Sequence, residues 1–363
     1  MMRSVLNSGG LFALVLAIVA MTNILLSGGA AAQPMFELAQ CKRQSLTVSD
    51  SGGVISGAED LALSADGKSL IISAYDRIEV DAALSRGETP PIGGIYRIAV
   101  ADLIAGKAVA QRVIDPATIP GGLRPHGIDV ADDELVFVNR PLGKSGDALD
   151  PAVMRYDLTA PFGTAPEKVS SQTDLCAAND VAIAGEALWV TLDRLQCPGW
   201  ALDERLGAKK ARLLRFDVEG NARTIADSLG LANGVVLLSD GVVAVAETRS
   251  KLIRVVNAQG RNTRSPIDLP GAPDNLTKTS DGRIVAALQP NLLAFGRYRY
   301  GERDQAPTLL VAVNPRTGNI ATLYDDDDGR IFSGATVGVL KGNMLFAGSV
   351  RGEGLLVCQK PAP

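Results

Sequence analysis

Six segments of the chain alternate apolar and polar residues in the way typical of half-buried β-strands. Each ends at a tight-turn signal such as Asp66-Gly67 or Asp281-Gly282, and a more apolar run follows the turn. The alternating segments read DLALS, GIDVA, DVAIA, GVVLL, NLTKT and TVGVL, and the runs after the turns read LIIS, LVFVN, ALWVTL, VVAVAE, RIVAAL and MLFAGS. We therefore predict one hairpin unit that is used six times along the chain.

The turn signals recur at uneven intervals, as expected for propeller blades joined by loops of variable length. They stand at Asp66-Gly67, Asp133-Glu134, Gly185-Glu186, Asp240-Gly241, Asp281-Gly282 and Gly342-Asn343. The 38 glycines and the scarcity of long helix-patterned windows also favour an all-β fold. The prediction is a single all-β domain over residues 33–363, a six-bladed β-propeller with calcium ions in its central channel.

Calcium enters this prediction because polar residues open the alternating segments, six or seven residues before each turn. They are Glu59/Asp60, His126, Asn179/Asp180, Asn233, Asp274/Asn275 and Thr336. One Asn or Asp at a strand start is more often a turn residue, but the matching register favours a shared ring around the propeller axis. Carboxylate and amide oxygens of this kind suit hard cations such as calcium.

Charge and composition narrow the range of partners. The chain has 363 residues, of which 46% are hydrophobic and 21% charged, and its formal net charge is -4. Acidic and basic residues are mixed, and no basic block or Lys/Arg-rich helix is present. Nucleic acid is therefore not expected as a partner.

Residues 1–32 have the pattern of a targeting segment. Arg3 gives a positive start, residues 11–26 are largely apolar, and Ala30-Ala31-Ala32 resembles a cleavage site. Removal of this signal peptide would give a secreted or periplasmic protein. An uncleaved leader would instead be an N-terminal anchor that associates the protein with a membrane.

Four cysteines allow three disulfide connectivities. A ring-shaped fold brings the chain ends together, which favours Cys41–Cys358 and leaves Cys176–Cys197 as the second pair. The chain has one histidine and no C-x-x-C motif, so a zinc site is poorly supported.

At the strand openings the sequence resembles the paraoxonase/arylesterase family of calcium-dependent lactonases, in an exported, bacterial-type form. The resemblance spans Cys41 to Cys358. It is carried by SGAEDL (56–61), RPHGI (124–128), VNRP (138–141), ANDV (178–181), LANGV (231–235), PDNL (273–276) and SGATV (333–337). No single motif is specific, but their order and register together are.

The resemblance implies two calcium ions, one catalytic and one structural. The catalytic ion would be held by Glu59, Asn179, Asn233, Asp274 and Asn275. The structural ion would lie deeper, held by Asp60, Asp180 and the backbone carbonyl of Ile128. The family's disulfide between the chain ends matches Cys41–Cys358, whereas Cys176 and Cys197 lie outside its pattern.

The implied activity is hydrolysis of a small lactone or aryl ester. His126 matches the family histidine that activates water, a role suited to a neutral imidazole. The sequence departs at Arg140, where the family has a second histidine, because arginine cannot act as a base. Asp274 or Glu59 would then assist, or His126 would act alone, or hydrolysis would be weak. We hypothesise that Arg140 forms an ion pair with Asp193 in place of the missing contact.

Three alternatives remain open. A gluconolactonase/regucalcin-like sugar lactonase would bind one metal ion, whereas the tandem pairs Glu59-Asp60 and Asn179-Asp180 supply ligands for two. A non-catalytic, calcium-stabilised propeller that binds a ligand or protein would tolerate loss of the second histidine. A strictosidine-synthase-like condensing propeller is disfavoured by the ring of metal-type residues.

Other segments receive simpler predictions. The acidic run 325–328 is expected to be a solvated loop. Trp189 is expected in the core, and Trp200 with residues 298–300, placed between blades five and six, is considered for the rim of the cleft. Substrate specificity is assigned to variable loops at residues 75–92 and 141–151.

Overall fold

The computed structural model describes residues 33–197, 202–239 and 241–361, and these residues form six β-sheets. The leader at 1–32, Trp200 and Asp240 of the fourth turn lie outside the described residues. Two short strands come first: β1 (Cys41–Gln44) and β2 (Thr47–Val48). The hairpins predicted from the alternating segments then follow in order, so the six-bladed all-β propeller is confirmed.

Blades 1 to 3 follow one another along the chain. Blade 1 contains β3 (Ala58–Leu63), β4 (Ser69–Ala74), β5 (Gly94–Ala99) and β6 (Val109–Arg112), with β2 added parallel to β6. Blade 2 contains β7 (Pro125–Ala131), β8 (Glu134–Asn139), β9 (Ala152–Asp157) and β10 (Glu167–Ser171). Blade 3 contains β11 (Ala178–Ala184), β12 (Ala187–Leu192), β13 (Ala211–Phe216) and β14 (Ala222–Leu229).

Blades 4 to 6 complete the ring. Blade 4 contains β15 (Ala232–Ser239), β16 (Val242–Glu247), β17 (Leu252–Asn257) and β18 (Ile267–Asp268). Blade 5 contains β19 (Ala272–Lys278), β20 (Ile284–Gln289), β21 (Thr308–Val313) and β22 (Ile320–Asp326). Blade 6 contains β23 (Ala335–Lys341), β24 (Met344–Ser349) and β25 (Leu355–Gln359), and β1 is its outermost strand.

The first strand of each blade is the innermost, because β3, β7, β11, β15, β19 and β23 contact one another in a closed ring. The apolar core lies between the blades and not on the axis: each of the six large hydrophobic clusters combines residues of two adjacent blades. Trp189, fully buried between blades 3 and 4, is in the core as predicted. This arrangement leaves the channel at the centre available for polar side chains.

Four α-helices are present in the described ranges: α1 (Arg77–Ser85), α2 (Val100–Ile104), α3 (Leu202–Arg205) and α4 (Leu292–Arg299). Short 3-10 helices cover Leu38–Gln40, Pro116–Thr118 and Thr173–Ala177. None of the described helices is long and apolar enough to span a membrane. Two helices matter for the site: α1 follows the second strand of blade 1, and α4 follows the second strand of blade 5.

The ring is closed by strands from the two ends of the described chain. β1 pairs antiparallel with β25, and Cys41 stands directly opposite Cys358. These two cysteines form a disulfide, and Cys176 and Cys197 form the second, so both predicted pairs are confirmed. Two disulfides are typical of an oxidising compartment outside the cytosol.

Of two predictions about loops, one holds for three of its four residues and the other is wrong. Asp325, Asp327 and Asp328 are exposed, as expected for a solvated acidic loop. Asp326 is instead buried: its carboxylate accepts hydrogen bonds from the backbone N–H groups of Arg330, Ile331 and Phe332 and stabilises this turn. Residues 298–300 lie within blade 5, between β20 and β21, and not between blades five and six. Tyr298 ends up buried because α4 packs it against Ala306 and Val350.

Candidate functional site

The polar residue that opens each inner strand coincides with a β-bulge. Register against the second strand shifts between Ala58 and Asp60, Pro125 and Ile128, Ala178 and Val181, Ala232 and Val235, Pro273 and Leu276, and Ala335 and Val337. A bulge takes a residue out of the ladder and redirects its side chain. The repeated bulge therefore explains how neighbouring polar residues are turned toward the axis in all six blades.

Two glycines in these bulges allow the inner strands to approach closely. A Cβ atom on Gly127 would lie 2.3 Å from Oδ1 of Asp180, and one on Gly234 would lie 2.5 Å from the backbone N of Leu276. Each contact joins an inner strand to the next blade. Any larger residue would separate the strands that carry the polar ring.

One cavity of about 320 Å³ collects the openers of all six inner strands. Its lining includes Glu59, His126, Asn179, Asn233, Asp274 and Thr336, together with Arg77, Arg140, Asp193, Arg194, Gln289, Phe295, Arg299 and Tyr300. A separate cavity of about 280 Å³ occupies the other part of the channel and is lined by later residues of the same strands. The predicted convergence of the strand openings at one mouth is thus confirmed.

Glu59 is the centre of the polar contacts in this cavity. Its side chain is 5% exposed, and Oε2 accepts a hydrogen bond from Nη2 of Arg77 at 2.6 Å. Oε1 lies 3.5 Å from Nδ1 of His126. The backbone carbonyl of Glu59 also accepts hydrogen bonds from Nδ2 of Asn275 (3.0 Å) and Oγ1 of Thr336 (2.8 Å). Blades 1, 2, 5 and 6 are therefore linked through this one residue.

Arg77 is a site residue that the sequence analysis missed. It is the first residue of α1, whose N-terminus is capped by Asp76: Oδ1 accepts hydrogen bonds from the N–H groups of Ile78 and Glu79. The guanidinium lies 4.5 Å from the ring centroid of Tyr75 and is almost fully buried. The pattern of Asp76 followed three residues later by Glu79 is an N-cap signal that predicts this helix.

Asp274 lies in the same cavity as Glu59 and is almost fully buried. Burial, and then the negative charge of Glu59, raise the pKa of Asp274 to about 8, while nearby amide groups of Asn233 and Gln289 oppose the shift. Two acids so close cannot both be ionised cheaply at neutral pH. A positive charge placed directly between these two carboxylates would lower the pKa of Asp274.

Three side-chain amides at the strand openings have buried oxygens without a hydrogen-bond donor among the described residues. They are Oδ1 of Asn179 and Asn233, which line the cavity, and Oδ1 of Asn275, whose Nδ2 donates to the carbonyl of Glu59. A buried carbonyl oxygen without a donor costs free energy, whereas such oxygens are good ligands for calcium. The donor set at this end of the channel therefore fits a hard cation.

No group of three or more His, Cys, Asp or Glu side chains positioned to hold a metal ion occurs in ranges 33–197, 202–239 and 241–361. The set of residues predicted to hold the catalytic calcium differs in composition from such a group. It consists of two carboxylates, Glu59 and Asp274, and three amides, Asn179, Asn233 and Asn275.

Asp60 and Asp180 lie deeper and join adjacent blades. Oδ2 of Asp60 accepts a hydrogen bond from the N–H of Ile128, and Oδ2 of Asp180 accepts one from Val235, both at 2.7 Å. Burial raises the pKa of both acids well above its usual value, and for Asp60 the charge of Asp180 adds to the effect. Asp60 and Ile128, two of the residues predicted to hold the deeper ion, are thus in contact, through the N–H of Ile128 and not through the carbonyl that was predicted as a ligand.

The hypothesised ion pair between Arg140 and Asp193 is not formed. Asp193 instead pairs with its neighbour Arg194, with 2.5 Å from Nε to Oδ1 and 2.9 Å from Nη2 to Oδ2. The adjacent arginine can make this two-pronged contact without any further ordering of the chain. Arg140 remains in the cavity, and burial lowers its pKa to about 10.

Helix α4 forms one wall of the cavity. Asn291 caps it by accepting a hydrogen bond from the N–H of Ala294, and the helix places Phe295, Gly296 and Arg299 along the cavity. Arg299 lies 4.7 Å from the ring centroid of the exposed Tyr300. The expectation that this segment reaches the cleft is thus confirmed for Arg299 and Tyr300.

No protein-family model matches the sequence, and no curated protein matches it significantly. Solved structures do match. A candidate gluconolactonase aligns with a TM-score of 0.52 at 13% identity, covering 91% of this chain and 96% of that protein. A luciferin-regenerating enzyme aligns with a TM-score of 0.51 at 10% identity, covering 90% of this chain and 94% of that enzyme. At such identities the likeness concerns the fold.

Proposed function

We propose that this protein is a calcium-dependent hydrolase of lactones or aryl esters, of the paraoxonase/arylesterase type. The observation that carries the proposal is the set of buried, unpartnered amide oxygens of Asn179, Asn233 and Asn275. They belong to the ring that also contains two acids, and the only histidine of the sequence lies in the same cavity. The candidate gluconolactonase among the structural neighbours is consistent with this chemistry.

The residues divide into an upper and a deeper set of ligands. Glu59, Asn179, Asn233, Asp274 and Asn275 would hold the catalytic calcium, and Asp60, Asp180 and the carbonyl of Ile128 would hold the structural one. When bound at the upper set, calcium would supply the positive charge that polarises an ester carbonyl and stabilises the developing oxyanion. The remaining steps depend on side chains of this chain.

His126 is the proposed general base. Its side chain is almost fully buried, and Glu59 lies 3.5 Å from Nδ1. Nδ1 makes no hydrogen bond with a described residue, so this carboxylate would act through its charge, stabilising the cation that forms when Nε2 takes a proton from water. Asp274 is the alternative base, because a pKa near 8 gives its carboxylate appreciable basicity at the pH where it ionises.

Arg77, which is not part of the family resemblance, affects how a cation can bind at Glu59. Its guanidinium already neutralises Glu59 through a 2.6 Å contact. A cation that uses Glu59 as a ligand must therefore displace Arg77 or share the carboxylate with it. Arg77 is thus expected to weaken calcium binding and to hold the carboxylate in place when the cation is absent.

The test combines calcium removal with two site variants and one control variant. Protein stripped by a chelator is assayed on a lactone panel and on phenyl acetate, with and without added calcium. We expect activity to return only with calcium, and His126→Gln to lower kcat/KM by about 10² to 10⁴. Asp274→Asn should abolish restoration by calcium, whereas Asp281→Asn, at the exposed turn of the same blade, should behave like the wild type.

The outcomes separate the competing functions. Absence of calcium-restored turnover on every substrate would overturn the proposal. Loss of folding on chelation without any turnover would favour a calcium-stabilised binding protein. Binding of a single ion, with activity confined to sugar lactones, would favour the gluconolactonase-like alternative.

A further inference from the structure

Arg140 is a partly exposed cavity arginine that has no direct ion-pair partner among the described residues. It follows β8 in the segment VNRP, and its backbone N–H donates to the carbonyl of Arg124 at 3.0 Å. The guanidinium lines the cavity and makes neither an ion pair nor a hydrogen bond with the residues that the structure describes. The nearby acid, Asp193, is occupied by Arg194.

Arg140 is one of two cavity arginines without an ion pair. Four arginines line the cavity, namely Arg77, Arg140, Arg194 and Arg299, against three acids, Glu59, Asp193 and Asp274. Two of the acids are paired with Arg77 and Arg194. Neither Arg140 nor Arg299 forms an ion pair with a described residue, so the lining has one more cationic than anionic side chain.

A second buried arginine contacts the same tyrosine ring as Arg77. Arg124 is 5% exposed; its Nη2 donates to the carbonyl of Pro91, and its Nε and Nη1 atoms have no hydrogen-bond acceptor among the described residues. Its guanidinium lies 5.5 Å from the ring centroid of Tyr75. Buried charge of one sign is costly unless a partner of the other sign completes it.

We propose that Arg140 is the anchor for a carboxylate on the substrate, so that the protein acts on small lactones or aryl esters that carry a free carboxylate. The planar guanidinium matches a carboxylate through two parallel hydrogen bonds. The cavity of about 320 Å³ limits the substrate to a small molecule. The hydrolytic part of this inference rests on the proposed function, whereas the binding of a carboxylate by Arg140 does not.

Binding is tested first, without any reaction. Glutarate, its neutral diamide and inorganic phosphate are titrated into the protein by calorimetry, in calcium and separately in chelator. We expect glutarate to bind in both conditions and the diamide not to bind. Arg140→Gln should weaken glutarate binding about 10- to 100-fold, Arg140→Lys less, and the exposed control Arg86→Gln should not change it.

Thermal unfolding separates a binding role from a structural one. Arg140→Gln removes a charge without a direct ion-pair partner, so its melting temperature should equal or exceed that of the wild type. A structural arginine would instead lower it. Glutarate binding that is equal in wild type and Arg140→Gln, or preference for phosphate over glutarate, would overturn the proposal.

Turnover then distinguishes the substrate class from the activity itself. Monophenyl glutarate and phenyl butyrate form a matched pair with and without the carboxylate. We expect the wild type to favour the first in kcat/KM by at least about tenfold and Arg140→Gln to lose most of that ratio. Hydrolysis of both esters with an unchanged ratio would reject the carboxylate site alone. Arg140-dependent glutarate binding without hydrolysis would reject the proposed function alone.

Discussion

At the scale of single residues, the site is dominated by how its charges are paired. Glu59 contacts Arg77 and His126, Asp193 contacts Arg194, and burial and the charge of Glu59 raise the pKa of Asp274. The metal-type donors lie in the same ring as this network of arginines. The central question about this site is therefore whether Glu59 pairs with the guanidinium of Arg77 or with a bound calcium ion.

Replacement of Arg77 by methionine tests that balance. We expect Arg77→Met to lose about 3–5 kcal/mol of unfolding free energy in chelator, because Glu59 is left as an unpaired buried charge. The same variant should bind calcium at least about tenfold more tightly, since the competing cation is gone. Calcium titration calorimetry and chemical unfolding measure the two effects.

The control for this change is Arg86→Met, at the exposed end of the same helix. It should alter neither calcium affinity nor stability by more than about 0.5 kcal/mol. Equal calcium affinity in Arg77→Met and wild type would show that Arg77 does not oppose the cation.

At the scale of elements, the bulged inner strands carry both the site and the links between blades. Asp60, Asp129 and Asp180 each accept a hydrogen bond from a backbone N–H of the next inner strand, at Ile128, Ile183 and Val235. The first three blade-to-blade contacts near the axis are thus made by carboxylates. Their protonation should influence stability as well as any binding of cations.

For Asp129, the pH range over which protonation affects stability can be stated. Burial raises its pKa to about 6 from the usual 3.8, so the folded state holds the proton more tightly than the unfolded state. This contribution to stability is complete below about pH 4 and is lost as pH rises through 6. The unfolding free energy of the wild type should therefore fall across this window, by at most about 1.4 kcal/mol per pH unit from this group.

Asp129→Asn should remove that part of the slope. Urea unfolding in chelator between pH 4.5 and 7.5 measures it, and Asp157→Asn provides a match in the same blade. Asp157 is exposed and its pKa lies below the usual value, so its replacement should leave the slope between pH 4.5 and 6 unchanged. Parallel curves for Asp129→Asn and wild type would argue against a neutral Asp129 in the folded protein.

The elements also show what the sequence can and cannot predict. The six hairpins were predictable because a two-residue alternation and a turn signal are local properties of the chain. Arg77 was missed because residues 75–92 lack an apolar helical stripe, and only the cap at Asp76 indicated a helix. The partner of Asp193 was mistaken because a choice between Arg140 and Arg194 depends on side-chain geometry in the folded cavity.

At the scale of the whole molecule, stability depends on closing the ring. The contact between β1 and β25 is reinforced by Cys41–Cys358, which joins residues 317 positions apart. Cys176–Cys197 spans only 21 positions within one region of the ring. Because a longer closed loop restricts the unfolded chain more, the two bonds should differ in their contribution.

Cys41→Ser with Cys358→Ser should therefore cost more stability than Cys176→Ser with Cys197→Ser. Chain-entropy arguments give roughly 6 kcal/mol for the long loop and roughly 3 kcal/mol for the short one. Denaturant unfolding of the two double variants measures the difference. A larger loss for the short loop would indicate that strand pairing in blade 6 closes the ring without help from the disulfide.

Ring closure also sets an order of events in time. β1 is among the first strands to be synthesised, yet the strand it pairs with, β25, is among the last. Blade 6 therefore cannot be completed until nearly the whole chain has been made, and contacts between such distant segments form slowly. During that interval the exposed edges of β1 and blade 6 are available to other chains, so this junction is where assembly of the protein is most open to error.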